Sequence, residues 1–463
     1  MRNEEELIEL LDKAEVKANE DNVALLKKQQ ETIVNAFRLH GLQGKCVRAI
    51  SGPQVNCFEL VIENGENFSR KIQDELAIEI EKELEVQAVR MLNQVPGRHV
   101  CRLEVPNGNR EFVTAGEMFR SVEWRDSLAT LPVMMGKGVE GKPIVLDLAK
   151  APHLLIGGGT GGENTAFMDS CIHSLMFRLA PAELKLILVD SPKKEFDKYK
   201  DLPYLQFPVI NCIKDVLPAL QWLNMEMLRR YKVLNDAGCR NIKELNERGL
   251  CPLPYIVIII NELADIMMSA SKQIEKLLSR LCALSRAIGI HLVIGTQRPV
   301  QNVLTKSVKL NFPIRIAFRV PSLIDSRQIL DADGAECLLG DGDMLVLGLT
   351  NLGALERIQG CYVYGQETAR IMERLKSMYS DSKPQALPSM HGISPNMSDV
   401  LCANLANLVR DVLEDNLDWL KDELLEKACD EIVDSLIERW GELQSQGNTP
   451  EADCAPKRPS LNV

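Results

Sequence analysis

The run His153 to Thr165, HLLIGGGTGGENT, packs five glycines into six residues between a short apolar stretch (Leu154, Leu155, Ile156) and a helix-compatible segment from Thr165 to Leu179. A strand, a glycine loop and a helix start in that order aim several backbone N–H groups at one anion, usually a phosphate. The phosphate-loop pattern G-x-x-x-x-G-K-[ST] is met by Gly158 and Thr165, with Gly159, Thr160, Gly161 and Gly162 inside the loop. Glu163 stands where the second glycine belongs, and Asn164 where the lysine belongs. The frame of an anion site is present and its charge is missing.

A second reading competes locally. Gly157, Gly159 and Gly162 also satisfy G-x-G-x-x-G, with Asp190 at the end of the next strand as a ribose ligand. That match is weak alone, and Asp190 falls later than the usual spacing of roughly 20 residues. The stretch YIVIIINELAD decides against it. It is an apolar strand ending in Asn261-Glu262, where phosphate-loop ATPases carry an Asp that holds Mg²⁺ and a Glu that orients the attacking water. The following strand ends in GTQRP and brings Gln297 beside these strand ends.

The elements that must position these residues are legible from composition and pattern. A chain of 463 residues holds two or three domains with full cores. A net charge of −11 argues against general attraction to nucleic acid or an anionic membrane, so a nucleic-acid site would have to be a local basic patch. Thirteen scattered cysteines without a C-x-x-C pair suggest buried thiols in a reducing cytoplasm. The start, MRNEEELIELL, is too polar for a signal peptide, and no apolar run reaches the roughly 18 residues of a spanning helix.

Residues 1–29 read as a charged helical lead-in on the surface, and residues 30–115 as a small α+β domain with a helix over Arg70–Leu84. Residues 116–375 read as an α/β domain, entered by a bridge that ends in KPIVLDL. Its strands HLLIGG, LKLILVD, YIVIIIN, HLVIGTQ and RIAFRV alternate with helices and predict a parallel sheet buried on both faces. Residues 376–397 are a linker by composition, 398–445 an acidic helical region, and 446–463 a disordered tail.

Taken together, several motifs in order resemble the FtsK/SpoIIIE DNA translocases, ring-shaped motors that pump double-stranded DNA. They are SGPQV at 51–55, VPGRHVCRLEVPN at 95–107, GKPIVLDLAKAPHLLIGG at 142–158 and MLRRYKVLNDAGCRNI at 227–242. LPYIVIIINELADIMM at 253–268, RAIGIHLVIGTQRP at 286–299, NFPIRIAFRV at 311–320 and IDSRQILDADGAECLLGDGDML at 324–345 complete the set. The resemblance implies a RecA-like phosphate-loop NTPase core preceded by the family's small α domain. It also implies ATP and Mg²⁺ as cofactors, with Thr165 as a metal ligand, double-stranded DNA as partner, and assembly as a hexameric ring.

The departures lie at the chemistry. The family's loop ends Gly-Lys-Ser/Thr and its magnesium-linked strand ends Asp-Glu; here the residues are Glu163-Asn164-Thr165 and Asn261-Glu262. A charge-assisted bond from the lysine to phosphate is worth about 1.5–3 kcal/mol. A carboxylate about 4 Å from a phosphate costs up to about 4 kcal/mol at an effective dielectric near 20. ATP binding is therefore expected to be weakened or lost, and hydrolysis with it. By resemblance Arg286 matches an arginine finger that acts on the neighbouring subunit. Arg298, Lys309 and Arg327 match DNA-facing pore-loop residues, while Leu323 stands where a lysine is usual. The family's membrane anchor and carboxy-terminal winged helix are not recognisable, and the acidic helices suit a protein partner or a fold back onto the core. The expectation is a DNA-binding, ring-forming, non-hydrolysing or regulatory subunit. A working translocase and a structural protein that reuses the motor fold are the alternatives.

Overall fold

The computed structural model describes residues 2–13, 22–62, 69–92, 100–108, 110–159, 161–190, 194–249, 251–349, 354–380 and 382–387. The acidic helical region and the tail predicted over 398–463 lie outside the described residues, as do Thr160 and residues 191–193.

The amino-terminal part builds a four-stranded antiparallel sheet from β1 (Gly44–Ser51), β2 (Val55–Ile62), β3 (Arg90–Leu92) and β4 (Cys101–Pro106), in the order β1-β2-β4-β3. Two helices, Asn22–Leu39 and Arg70–Leu84, supply the rest of its core, where Phe37, Leu76 and Ile80 meet Phe58, Leu60 and Leu103. The second helix covers the segment its pattern predicts. It starts because the Ser69 hydroxyl accepts from Ile72 N–H, and it stops at Glu85, whose φ of 53° is left-handed.

Nine further strands form one sheet: β5 (Pro132–Gly138), β6 (Pro143–Asp147), β7 (His153–Gly157), β8 (Leu184–Val189), β9 (Tyr255–Ile260), β10 (Ile290–Thr296), β11 (Ile314–Ala317), β12 (Asp343–Leu347) and β13 (Leu355–Gln359). Their order is β6-β5-β13-β12-β11-β7-β10-β9-β8. The five strands read from the sequence, β11-β7-β10-β9-β8, are mutually parallel. Every residue of β7, β9 and β10 is buried, as expected for strands covered by helices on both faces. The sheet as a whole is mixed, because β12, β13, β5 and β6 extend it with antiparallel pairings. Several of those strands carry polar residues or are only partly buried, so their pattern marks them less clearly than the parallel strands.

β10 separates the glycine-loop strand β7 from β9. All three run the same way, so the loop, Asn261-Glu262 and Gln297 emerge at one edge. The first helix, Arg2–Glu9, lies at the surface with Glu5 and Glu9 exposed, and it buries Leu7, with Leu11 just beyond it, in the core of the large sheet. Its Glu4 also accepts from Trp124 Nε1 and Arg178 Nε, both at 3.0 Å. No helix among the described residues is long and apolar enough to cross a membrane.

Candidate nucleotide site

β7 ends at Gly157 and the helix Glu163–Arg178 begins directly after the loop. Gly162 caps that helix with φ +78°, a conformation that favours glycine, and no side chain caps the helix start. Gly158 and Gly159 are held from behind by bonds to the carbonyls of Thr296 (3.3 Å) and Arg319 (3.0 Å). Two of the loop's N–H groups are therefore committed to backbone carbonyls, and the side chains of Glu163 and Asn164 also have partners outside the loop.

Asn164, at the lysine position, is buried and donates Nδ2 to the Thr296 carbonyl at 3.0 Å. Its Oδ1 has no hydrogen-bond partner among the described residues and packs against Gly158, 2.6 Å from where a Cβ would stand there. An acceptor thus faces the loop where a cationic donor would be needed. Glu163 is half-buried, and its Oε1 accepts from Gly342 N–H at 2.9 Å. Burial pushes its carboxyl up, against the Gly342 bond, with Asp341 and Asp343 adding to the rise.

Thr165 Oγ1 donates to Asn261 Oδ1 at 3.1 Å, and Asn261 Nδ2 donates to Asp190 Oδ1 at 2.8 Å. Asp190 Oδ2 accepts from Phe196 N–H at 2.6 Å. Glu262 accepts from Thr296 Oγ1 (2.7 Å), Gln297 N–H (2.9 Å) and Ala264 N–H (3.1 Å). Asp190, Asn261 and Glu262 are all buried. Asp190 is thereby removed as a ribose ligand. Gln297 enters the site through its backbone.

Position 261 offers a magnesium ion an amide and no carboxylate charge. Mg²⁺ takes oxygen ligands with carboxylate charge close by. The Asn261 oxygen accepts from Thr165 and its neutral amide donates to the Asp190 carboxylate, while the neighbouring Glu262 carboxylate accepts from Thr296 and Gln297. Among the described residues, no group of three or more His, Cys, Asp or Glu could hold a metal ion.

The remaining predicted residues lie elsewhere. Arg286 is exposed in the turn after the helix Leu263–Leu284, just before β10 begins. The seven residues of β10 put about 20 Å between it and the edge that carries its own glycine loop. Arg298 is exposed just past the other end of β10. Lys309 is ion-paired to Asp331 at 2.7 Å, and Asp331 also pairs with Arg315. Arg327 Nη2 donates to Asp333 at 3.0 Å. Thus the structure brings together the loop, Asn261, Glu262 and the Gln297 backbone, and leaves Arg286, Lys309 and Arg327 outside that cluster.

Sequence reasoning missed Thr296, which bonds both Asn164 and Glu262, and the structural role of Asp190. Thr296 lay in view inside GTQRP. Its contacts to Asn164 and Glu262 cross 132 and 34 residues of chain and leave no local signal.

Residues 116–301 match the model of the FtsK/SpoIIIE family, and residues 7–107 that of the FtsK alpha domain. The DNA translocase FtsK of Haemophilus influenzae is 37% identical over 377 residues, covering 75% of this chain and 70% of that protein. The corresponding protein of Treponema pallidum is 42% identical over 334 residues, covering 70% of this chain and 41% of that protein. That of Borreliella burgdorferi is 38% identical over 384 residues, covering 81% and 48%. The chain therefore spans less than half the length of the latter two. Among solved structures, the pCW3 conjugation coupling protein TcpA, with ATPγS, is similar with a TM-score of 0.53 at 20% identity, covering 76% of this chain and 99% of that one. EssC (ATPases 2 and 3) of Geobacillus thermodenitrificans has a TM-score of 0.50 at 17% identity, covering 56% and 52%. These structural likenesses concern the fold alone, a phosphate-loop ATPase core of the RecA-like kind; the family models and the sequence relatives show that the chain belongs to the FtsK/SpoIIIE family.

Proposed function

We propose that this chain is a ring-forming, DNA-binding member of the FtsK/SpoIIIE family that does not hydrolyse ATP and serves as a regulatory or non-hydrolysing subunit. The observation that carries this reading is the run Thr165–Asn261–Asp190, in which the hydroxyl and the amide at the magnesium positions are spent on each other and on a buried carboxylate. Asn164 is likewise spent on Thr296. Three neutral or wrongly charged positions together remove the complement that ATP and Mg²⁺ require, so nucleotide binding is weak or lost. Double-stranded DNA is held by basic side chains, with Arg298 the most available. A hexamer in the cytoplasm is the expected assembly.

Titration with a fluorescent ATP analogue tests the reading. The parent chain should show no saturable binding at micromolar nucleotide, and the triple variant Glu163→Gly, Asn164→Lys, Asn261→Asp should gain affinity before it gains turnover. Tight binding by the parent would overturn the proposal.

The position of Arg286 supports one further role, as a finger for a neighbouring active subunit. It is exposed at the sheet end opposite its own loop, and an arginine supplied in trans is worth about 10³–10⁵ in rate. In rings mixed with an active homologue, Arg286→Ala should abolish turnover at that junction and leave assembly unchanged. Equal rates with the parent and the variant would remove this role.

A further inference from the structure

We propose that Glu163 is a latch that couples the glycine loop to the seam between the small and the large sheet. Its carboxylate reaches across to Gly342 N–H at 2.9 Å, 179 residues along the chain. Gly342 closes a turn in which three successive residues, Gly340, Asp341 and Gly342, have φ of +82°, +57° and +90°. For Asp341 that conformation is uncommon, and such a turn persists only when its surroundings hold it. The holders come from different elements. Gln359 Nε2 donates to the Asp341 carbonyl at 2.7 Å, Leu339 N–H to Asp343 Oδ2 at 2.9 Å, and Glu163 accepts from the loop side.

The next residue, Asp343, opens β12 and anchors a buried ion cluster. Arg357 of β13 grips it through Nε at 2.9 Å and Nη2 at 2.6 Å. The same guanidinium donates Nη1 to Glu104 of β4 at 3.0 Å, and Glu104 pairs with Arg90 of β3 at 3.2 Å. The four side chains alternate in sign, and each is 7% exposed or less. Burial would raise the Glu104 carboxyl, but Arg90 and Arg357 outweigh it and hold it below the ordinary range. A buried cluster of this kind does not loosen gradually, because losing any partner strands an unpaired charge.

The chain of contacts is therefore continuous. Glu163 holds the turn, the turn positions Asp343, Asp343 fixes Arg357, and Arg357 ties the small sheet to the large one. Coupling between two sites is reciprocal, so freeing the loop loosens the seam and disturbing the seam loosens the loop. The coupling does not depend on nucleotide turnover, and it gives the residue that spoils the phosphate loop a positive role.

Hydrogen–deuterium exchange on the full chain tests it. Removing a hydrogen bond to a charged group shifts a local opening equilibrium by about tenfold or more. Glu163→Ala should therefore speed exchange by about that factor in residues 339–343 and in 101–106. Glu163→Gln, which keeps an acceptor oxygen without the charge, should fall between the parent and the alanine variant. Glu163→Asp, which keeps the charge and shortens the reach, should behave like the alanine variant. In the reverse direction, Glu104→Gln should speed exchange in the loop and first turn, 158–166. Faster exchange in 339–343 with 101–106 unchanged would overturn the coupling, and parent-like exchange in 339–343 for both the alanine and aspartate variants would overturn the latch itself.

Discussion

Asn261 donates its side-chain amide to Asp190 across 2.8 Å in a site from which solvent is excluded. That bond requires a donor at position 261. An ionised aspartate there would place two carboxylates in contact without a counter-charge, and one of them would have to take up a proton. Asn261 is thus tied to its neighbours by complementary hydrogen bonds, to Thr165 on one side and Asp190 on the other.

Asn261→Asp alone should therefore destabilise the fold by about 1–3 kcal/mol, the cost of an unsatisfied buried polar group. Adding Asp190→Asn restores a donor opposite the new carboxylate and should recover most of that loss. Urea unfolding of the two variants at neutral pH measures it. Equal stability of the single variant and the parent would show that the Asp190 contact does not constrain position 261.

Acid should destabilise the protein through three buried histidines. Burial holds His153 down to about 3, and His173 and His291 down to about 4. Each is neutral when folded and takes a proton near its ordinary value when unfolded. Stability from these groups is present above about pH 6.5 and is lost as pH falls toward the folded values, at about 1.4 kcal/mol per histidine per pH unit. Urea midpoints at pH 7, 6 and 5 should fall progressively. His291→Gln should flatten the decline, whereas a parent midpoint unchanged from pH 7 to 5 would contradict the assignment.

DNA binding should depend unequally on the three basic residues. Each phosphate contact contributes roughly −0.9 to the slope of log affinity against log salt. Arg298→Ala should flatten the slope by about that amount. Lys309→Ala should change it less, because Lys309 is largely buried and paired to Asp331. Arg327 lies between the two, exposed but paired to Asp333. A titration series in salt for the three variants checks the order. Equal effects would show that the ion pairs open on binding.

The fold was largely legible because most of its parallel strands are nearly unbroken apolar runs, and such runs declare themselves locally. The glycine loop was legible for the same reason: glycine density marks a backbone demand. The substitutions Glu163, Asn164 and Asn261 could be read as departures, but their new partners could not. Glu163 meets Gly342, and Asn164 meets Thr296, across stretches of chain that no periodicity spans. Leu7 and Leu11 sit at helical spacing in a charged segment, which marks a buried stripe, but that the stripe packs on the large sheet has no local signal.

DNA-stimulated ATP turnover by the purified chain tests the central claim most directly. The account predicts no hydrolysis above background with or without duplex DNA. Turnover on the order of 1 s⁻¹ per subunit or faster, within the usual enzyme range, would contradict it.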